Sequence, residues 1–364
     1  MKVPFADFNS ELKGNEEDYS SLLLKHISKG EFIGGNAVSE FEERLSNFLN
    51  ARNVISVGNG TDALTIALES LNLTKKEVIV PAFSFFATSE AIVRAGLTPI
   101  FVDVSLEDCN IDTEQIEKNI SKETGCILPV HLFGKSSNMD QILLIAEKYE
   151  LKIVEDTAQA FGTKYGEKYL GTIGNAGCYS FFPTKTLGAY GDGGAIVTND
   201  KKIAEKARML KNHGASKKYY NEIIGYNSRL DSIQASFLNM KLNKINVMIS
   251  QRQAAGNFYN KLFKNNENLT IVNNNESTFN YYSIIINNGS RDELQKHLAE
   301  AGISTAIYYP KTLPSLPAHN IKQSFSNAEF LSKKIIALPI FPSIQKSQQE
   351  YVVQEICAYF ESIC

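Results

Sequence analysis

Between about residues 50 and 200, the chain alternates short apolar runs with longer segments in which apolar residues recur at helical spacing. Runs that are apolar throughout are typical of strands buried on both faces of a parallel sheet, because a strand with one wet face alternates polar and apolar residues. These runs predict strands at residues 53–57, 77–80, 99–104, 126–130, 152–155, 178–181 and 194–198.

Helical segments lie between these strands, at residues 61–71, 89–95 and 139–149. Repeated alternation of strand and helix predicts an α/β domain with a mostly parallel sheet and right-handed crossovers. Ligands of such sheets bind beyond the carboxyl ends of the strands. The residues that follow each strand are therefore the candidates for chemistry.

The character of the chain changes after residue 200, where helical patterns and asparagine-rich loops such as NNENLTIVNNNES replace the alternation. The predicted elements there are a helix at 201–212, one long helix at 230–252, a strand at 281–286 and a helix at 291–301. The change predicts two domains: a large α/β domain over residues 1–245 and a smaller C-terminal α+β domain over residues 246–364.

The composition argues against several classes of function. The 364 residues are 43% hydrophobic and 21% charged, with a formal net charge of −3, and this mild acidity argues against a nucleic-acid or anionic-membrane partner. The first twenty residues lack the apolar core of a signal peptide, and no apolar run approaches the length of a membrane span. The five cysteines are scattered without CxxC spacing, so they predict neither disulfides nor a metal site. A reducing cytoplasm is the expected location.

A glycine turn, GNGTDA at residues 58–63, opens the helix after the first strand. Free amide groups at a helix start, together with the helix dipole, form an anion site. The alternative is a simple N-cap at Thr61 or Asp62. The second strand is followed by PAFSFFAT at residues 81–88, where an aromatic side chain either belongs to the core or stacks on a flat ligand ring.

Two charged residues also follow strands. Asp156 comes after a buried strand, where a lone carboxylate is costly unless it is paired or caps a helix. Lys185 stands between the aromatic pair Phe181-Phe182 and a glycine run at 188–194. The aromatic pair could supply an apolar setting for the lysine. The glycines from 191 onward would let the backbone pass close to it. A lysine, an anion site, a stacking aromatic and a buried carboxylate together match the needs of pyridoxal 5′-phosphate.

The chain resembles the DegT-type nucleotide-sugar aminotransferases, which are pyridoxal-phosphate enzymes of the aspartate-aminotransferase fold, fold type I. The resemblance rests on these stretches: GEFIGGNAVSEFEERL (30–45), GNGTDAL (58–64), PAFSFFATSEAI (81–92), PVHLFGK (129–135), VEDTAQAFG (154–162), SFFPTKTLGAYGDGGAI (180–196) and GYNSRLDSIQAS (225–236). They cover essentially the whole chain. The resemblance implies a large, mostly parallel seven-stranded sheet domain and a small C-terminal α+β domain.

The resemblance also implies a role for each matching residue. Lys185 binds the cofactor covalently and moves a proton, while Asp156 pairs with the pyridine nitrogen. By the same resemblance, Gly60, Thr61 and Ser180 contact the cofactor's phosphate, Phe85 its ring face and Gln159 its ring hydroxyl. Asp62 is a further implied cofactor-binding residue, and Asn227 reaches the phosphate bound by the other subunit. A homodimer with shared active sites follows from the last contact.

The implied reaction moves the amino group of L-glutamate through the pyridoxamine form to a nucleotide-linked keto sugar. SKKYYNE (216–222) and GYNSRLDSIQ (225–234) resemble enzymes that act at sugar carbon 3, which favours a dTDP-3-oxo-6-deoxyhexose. The alternatives are amination at carbon 4 and a UDP-linked substrate. A different class of function is a non-catalytic regulatory protein that keeps the fold, but such a protein is expected to have lost Lys185 or Asp156. A related sugar dehydratase would have histidine in place of Lys185.

Substrate contacts are expected where the chain departs from its relatives or adjoins the cofactor residues. Lys135 stands where the family often has glutamine, and Tyr308-Tyr309 begins a stretch that many relatives write His-Tyr-Pro. The predicted substrate-binding residues are Lys135, Tyr190, Arg229, Tyr308 and Tyr309.

Overall fold

The computed structural model of the protein describes residues 1–272 and 277–363. Part of the predicted asparagine-rich loop, residues 273–276, lies outside the described residues, as does Cys364. The strands are β1 (Asn53–Val57), β2 (Glu77–Pro81), β3 (Thr98–Val102), β4 (Thr124–Ile127), β5 (Lys152–Asp156), β6 (Lys164–Tyr165), β7 (Lys168–Tyr169), β8 (Ala176–Ser180), β9 (Gly194–Thr198), β10 (Ala215–Lys217), β11 (Tyr220–Asn221), β12 (Leu269–Ile271), β13 (Tyr282–Ile286) and β14 (Ile335–Leu338).

The helices of the described residues surround these strands. They are α1 (Phe8–Leu12), α2 (Glu16–Lys29), α3 (Asn36–Leu49), α4 (Gly60–Ser70), α5 (Phe86–Arg94), α6 (Thr113–Lys118), α7 (Met139–Tyr149), α8 (Lys201–Leu210), α9 (Ser232–Leu242), α10 (Ile245–Leu262), α11 (Arg291–Glu300), α12 (Ser326–Lys334) and α13 (Lys346–Ile363), with a short 3₁₀ turn at Leu132–Gly134. Within the described ranges no helix is both long and apolar enough to cross a membrane.

The predicted large sheet is present and has seven strands in the order β1–β9–β8–β5–β4–β2–β3. All neighbours from β8 to β3 are parallel, whereas β9 runs antiparallel to both β1 and β8. The predicted runs 53–57 and 194–198 coincide with β1 and β9, and four of the other predicted strands overlap their observed counterparts by most of their length. The fifth, 126–130, shares only residues 126 and 127 with β4, which begins and ends earlier. The fold prediction is confirmed.

Helices cover both faces of this sheet, which explains why its strands are apolar throughout. Side chains of successive strand residues point to opposite faces. Ile55 and Ile196 pack with residues of α4 and α8, whereas Val54 and Val197 pack with residues of α3 and α9. A strand with helices on both sides has no solvent-exposed face, so polar residues do not alternate with apolar ones along it.

A smaller antiparallel sheet, β12–β13–β14, forms after α10. Its strands share a hydrophobic core with α11 and α13, and Val3 from the start of the chain joins that core by pairing with Ile303. The predicted domain boundary between residues 245 and 246 falls at the first turn of α10, and the division itself stays a prediction.

The predicted long helix at 230–252 is wrong, because two helices, α9 and α10, occupy that region. Asn243 caps the end of α9, and Lys244 is the residue before α10. Leu242 and Ile245 both pack into the core around α3, so the apolar pattern continues across the turn. Since the turn contains neither glycine nor proline, the sequence carries no signal of the break.

Candidate active site

Three strand ends meet at one edge of the large sheet and place the candidate residues there. Asp156 is the last residue of β5 and pairs in register with Cys178 of β8, which ends two residues later at Ser180. Gly194, the first residue of β9, pairs with both Ser180 and Val57, the last residue of β1. The ends of β1, β5 and β8 therefore lie side by side.

Asp156 is a buried carboxylate with a defined set of hydrogen-bond donors. Its Oδ2 accepts from Thr88 Oγ1 at 2.8 Å, and its Oδ1 accepts from the amide of Ala158 at 3.1 Å. Burial raises the pKa of the Asp156 carboxyl, while these hydrogen bonds and the charge of Lys185 act against that rise. Since a buried charge is stable only when it is paired, the carboxylate is suited to a cationic partner.

Lys185 lies in a tight turn between β8 and β9, where its amide donates to the carbonyl of Phe182 at 2.8 Å. Its Nζ lies 5.5 Å from the centroid of the Tyr281 ring. The turn is closed by Gly188, whose absent Cβ would lie 2.3 Å from the carbonyl oxygen of Pro183. Gly188 is therefore required by the close approach of two backbone segments.

Two interpretations of the surroundings of Lys185 are wrong. Phe181 is fully buried against Phe41, and Phe182 is 49% exposed, so the aromatic ring next to Lys185 comes from Tyr281 instead. The predicted role of the glycines from 191 onward is also not observed: Gly194, for example, lies against the carbonyl of Asn59 and leaves room for the start of α4.

The start of α4 has the geometry expected of the predicted anion site. A Cβ on Gly60 would lie 2.8 Å from the Cβ of Ser180, so the helix start packs directly against the end of β8. The first amides of a helix have no partner within the helix, which leaves those of Gly60 and Thr61 free for an anion. The alternative of an N-cap at Thr61 or Asp62 is wrong, since Asn59 is the cap and accepts from the Asp62 amide at 2.8 Å.

Asp62, another predicted cofactor residue, uses its polar groups within the protein. Its amide is occupied by the cap, and its Oδ1 lies 3.4 Å from Nη2 of Arg94. Any contact of Asp62 with a phosphate would therefore compete with these bonds, and its predicted role is left without structural support.

Gln159, Tyr309 and Phe85 form one connected group beside Asp156. Gln159 Nε2 donates to the hydroxyl of Tyr309 at 2.8 Å, and its Oε1 accepts from the amide of Phe133 at 2.9 Å, which fixes the orientation of the amide. The Phe85 and Tyr309 rings lie 5.9 Å apart with an angle of 37° between their planes. Phe85 is 57% exposed, so one face of its ring is free to cover a flat ligand.

The other predicted substrate residues lie at several places. Tyr308 packs on Tyr281 with ring centroids 4.4 Å apart, so it adjoins Lys185. Tyr190 faces the N-terminal helices, and its hydroxyl donates to that of Tyr19 at 3.1 Å. Lys135 donates to the carbonyl of Glu107 at 3.2 Å, and no described contact joins it to the residues around Asp156.

Asn227 and Arg229 are exposed on either side of Ser228. The hydroxyl of Ser228 accepts from the amide of Gly58 at 3.0 Å, so this segment lies against the turn that leads into α4. The sequence prediction missed two residues of the site, Thr88 and Tyr281. Thr88 belongs to the PAFSFFAT stretch, and its spacing of three from Phe85 on one helical turn is the available signal.

These residues fit pyridoxal 5′-phosphate. The contacts described above bring together a buried carboxylate, a lysine whose charge acts on it, an exposed aromatic ring, and a helix start next to a serine. The residues that would hold the cofactor are Gly60, Thr61, Phe85, Asp156, Gln159, Ser180 and Lys185.

The sequence profile described as the DegT/DnrJ/EryC1/StrS aminotransferase family matches residues 14–357. The chain belongs to this family. The DegT-family assignment confirms the predicted enzyme class and cofactor, because the family comprises sugar aminotransferases that use pyridoxal phosphate.

Individual proteins are similar along nearly the whole chain. A "Pleiotropic regulatory protein" of Geobacillus stearothermophilus is 39% identical, with 99% of each chain covered. The dTDP-3-amino-3,6-dideoxy-alpha-D-galactopyranose transaminase of Aneurinibacillus thermoaerophilus is 35% identical, covering 98% of this chain and 99% of the relative. The crystal structure of NtdA from Bacillus subtilis with bound cofactor PMP has a TM-score of 0.92 at 30% identity and covers 99% of this chain and 85% of that one.

Proposed function

We propose that the protein transfers the amino group of L-glutamate to a nucleotide-linked keto sugar, releasing 2-oxoglutarate and an amino sugar. The observation that carries the proposal is the juxtaposition of Lys185 with the buried carboxylate of Asp156. A carboxylate held in a dry site is costly for folding. Its retention is explained if a cationic ring nitrogen occupies the cleft during function.

Asp156 and Lys185 have distinct tasks in this proposal. When bound, the cofactor withdraws electrons from the carbon that carries the amino group. Asp156 accepts a charge-assisted hydrogen bond from the protonated ring nitrogen and so maintains that withdrawal. Thr88 favours the ionised form of Asp156 by donating to Oδ2. Lys185 takes up and returns a proton at Nζ as the amino group is transferred from the donor to the acceptor.

The remaining residues position the cofactor. The amides of Gly60 and Thr61, with the hydroxyl of Ser180, bind the phosphate at the start of α4. Phe85 covers one face of the ring. Gln159 donates to the ring hydroxyl through an amide whose orientation Phe133 and Tyr309 already fix.

The substrate we propose is a dTDP-3-oxo-6-deoxyhexose, aminated at carbon 3. The support is the 35% identical relative, which is a dTDP-3-amino-sugar transaminase, together with the carbon-3 resemblance of residues 216–222 and 225–234. Tyr308 and Tyr309 adjoin Lys185 and Gln159, so they are the substrate contacts that the geometry favours most. Tyr190, Arg229 and Lys135 lie further from these residues and remain predictions.

A regulatory function is the second candidate, because the 39% identical relative carries that description. A purely regulatory role leaves the hydrogen-bonded carboxylate of Asp156 and the lysine beside it without a purpose. The same geometry supports catalysis, so we place catalysis first.

We also propose that two copies of the chain form a dimer and share their active sites. The hairpin β10–β11 and the residues after it expose Tyr219, Tyr220 and Ile224, the last at 94%. Apolar side chains exposed together in a soluble protein mark an interaction surface. Asn227 follows directly, and burial of this hairpin against a second copy would bring Asn227 to the partner's phosphate site.

The test is amino transfer from glutamate to a panel of dTDP- and UDP-linked keto sugars with the keto group at carbon 3 or 4, followed by mass spectrometry and NMR. We expect product from the dTDP-3-oxo sugar with the wild-type protein and with Lys164→Ala, and none with Lys185→Ala. Lys164 is the matched control because its Nζ also lies over a tyrosine ring, at 4.9 Å, in the hairpin β6–β7. Product from a UDP or carbon-4 substrate instead would overturn the substrate assignment, and no product from any sugar would overturn the function.

Light scattering and mixing test the dimer. An Asn227→Ala variant should have low activity and a Lys185→Ala variant none, and their mixture should regain part of the wild-type activity through hybrid dimers with one intact site. A monomeric protein with full activity would contradict the shared site.

A further inference from the structure

Arg252 of α10 is a buried cation with unused donors. Only 7% of it is exposed, and its Nη1 donates to the carbonyls of Phe279 at 3.3 Å and Ile340 at 3.2 Å. Its Nε is buried and has no hydrogen-bond partner. No carboxylate of the described residues forms an ion pair with it. A buried guanidinium without an anion is costly, which points to an anion that arrives from outside.

A cavity of about 540 Å³ has both Arg252 and Lys185 in its wall. This volume lies within the range of small-molecule sites, roughly 300 to 1,000 Å³. The cavity runs between the N-terminal helices, the helices α9 and α10, and the segment that leads into β13. An amino acid that enters it can therefore reach the lysine and the arginine from the same space.

The acidic side chains of the cavity wall form no ion pair with Arg252, although the charge of Glu11 acts to raise its pKa. Glu11 forms an ion pair with Lys241 at 2.7 Å, and Asp7 accepts from the amide of Ser10 at the start of α1. The titratable groups of the wall comprise four basic residues against three acidic ones: Lys185, Lys241, Lys244 and Arg252 against Asp7, Glu11 and Asp18, apart from the tyrosines. The cavity therefore carries a positive charge when all of these groups are ionised.

Tyr281 connects the arginine to the lysine electrostatically. Burial acts to raise the pKa of Tyr281, but the charge of Lys185, hydrogen bonds from Thr184 and Tyr308, and the charge of Arg252 bring that pKa below its ordinary value. Burial lowers the pKa of Arg252 to about 10, so the guanidinium stays charged at neutral pH. Both cations thus act on one ring in the wall of the cavity.

We propose that Arg252 binds a carboxylate of the amino-acid donor and holds the donor with its amine toward Lys185. The inference rests on the proposed function, which supplies glutamate as the donor. A guanidinium with free N–H groups matches the planar, two-oxygen geometry of a carboxylate, and a lysine at the same place does not. The keto sugar carries no carboxylate in the substrate that we propose, so Arg252 serves the donor half of the reaction.

Arg291 provides a matched control for Arg252. It is also 7% exposed, and its Nη1 likewise donates to two backbone carbonyls, those of Ser332 at 3.2 Å and Ile335 at 3.1 Å. Arg291 lies outside the wall of the cavity. A loss that results from disturbed packing alone should therefore appear in variants of both arginines.

The first measurement is calorimetric titration of the cofactor-loaded protein with glutarate, which has the carbon chain and both carboxylates of glutamate but no amine. We expect Arg252→Lys to weaken glutarate binding roughly tenfold or more, as loss of a hydrogen bond between charged groups implies, and Arg291→Lys to leave it unchanged. Equal affinity in wild type and Arg252→Lys would overturn the proposal. So would an equal loss in both variants.

A second measurement uses the wild-type protein and covers the case in which Arg252 variants do not fold. Phenylglyoxal modifies accessible arginines, and peptide mapping reports each site. Glutarate should protect Arg252 from modification and leave the labelling of Arg291 as it is. Labelling of Arg252 that is the same with and without glutarate would contradict the inference.

The two half-reactions separate this inference from the proposed function. Arg252→Lys should raise the glutamate concentration needed for half-maximal rate about tenfold or more, and should leave the rate with the keto sugar within about twofold. A loss confined to the sugar half-reaction would assign Arg252 to the nucleotide sugar instead and overturn the donor site. Failure of the wild-type protein to aminate any sugar would refute the proposed function, whatever glutarate does.

Discussion

Thr88→Val tests whether the ionised form of Asp156 binds the cofactor. The substitution keeps the shape of a buried side chain and removes the hydroxyl that donates to Asp156 Oδ2 at 2.8 Å. It also deprives Ser84 of its partner, since the two hydroxyls lie 2.9 Å apart. Loss of a hydrogen bond to an ionised acceptor costs about 1.5 to 3 kcal/mol.

Loss of the Thr88–Asp156 hydrogen bond costs the apoprotein less free energy than the cofactor-loaded protein. Burial raises the pKa of Asp156, so protonation of the carboxyl is easier in the folded apoprotein and offsets part of the lost hydrogen bond there. The loaded protein needs the carboxylate opposite a protonated ring nitrogen and bears the loss in full. The difference between the two states lowers the free energy of cofactor binding. We expect this difference to lie near the lower end of the range of about 1.5 to 3 kcal/mol, so Thr88→Val should weaken cofactor affinity roughly tenfold.

The pH dependence has a definite sign. A carboxyl whose pKa is raised by folding binds its proton more tightly in the folded apoprotein, so the apoprotein loses stability as the pH rises from the ordinary carboxyl pKa through the raised one. Cofactor binding requires the ionised form and weakens as the pH falls below the raised pKa of the folded apoprotein. Since the Thr88 hydroxyl lowers the pKa of Asp156, Thr88→Val should move the loss of cofactor affinity to higher pH.

The assay is a fluorescence titration of apoprotein with pyridoxal 5′-phosphate at a series of pH values. Thr88→Ser should restore most of the affinity, because it keeps a hydroxyl. Thr163→Val is the control for the same chemical change at a neutral acceptor: the Thr163 hydroxyl donates to the carbonyl of Gly134 at 2.9 Å. The reasoning would be refuted if Thr88→Val changed neither the cofactor affinity nor the pH at which that affinity is lost. An equal change in Thr163→Val would refute it as well.

Two further predictions concern the surroundings of Lys185 and Gln159. Gly188→Ala places a Cβ 2.3 Å from the Pro183 carbonyl oxygen, so it should destabilise the protein by about 1 to 3 kcal/mol and reduce cofactor incorporation. Thermal unfolding measures the first effect and cofactor absorbance the second. An unchanged melting temperature would mean that the turn adapts to the Cβ without cost, against this prediction. Tyr309→Phe removes the acceptor of Gln159 Nε2 at 2.8 Å and should reduce kcat/KM for the keto sugar about 2- to 10-fold. Burial raises the pKa of Tyr309 well above its ordinary value, so that reduction should be the same at neutral and mildly alkaline pH, and a reduction that varies over this range would contradict the role.

The sequence predicted the parts of the fold that depend on local pattern. The runs 53–57 and 194–198 are apolar throughout because β1 and β9 have helices on both faces, and their bounds were predicted correctly. The break between α9 and α10 was missed because Asn243 and Lys244 turn the chain without a glycine or proline. Helix propensity and apolar spacing alone do not encode such a turn.

The missed site residues depend on distance along the chain. The Thr88 hydroxyl reaches Asp156 across 68 positions, and Tyr281 reaches Lys185 from the residue just before β13 of the smaller sheet. Neither contact leaves a periodic signal near Lys185, so the neighbouring Phe181-Phe182 pair was chosen in error as its apolar setting. Arg252 was missed for the same reason, because only its burial and its unused donors distinguish it from other helical arginines.

Reduction of the loaded protein with borohydride, followed by digestion and peptide mapping, tests the cofactor attachment most directly. The account predicts a single pyridoxyl label on the ε-nitrogen of Lys185, lost in Lys185→Ala and kept in Lys164→Ala. A label on any other lysine, or none in a protein that binds the cofactor, would contradict it.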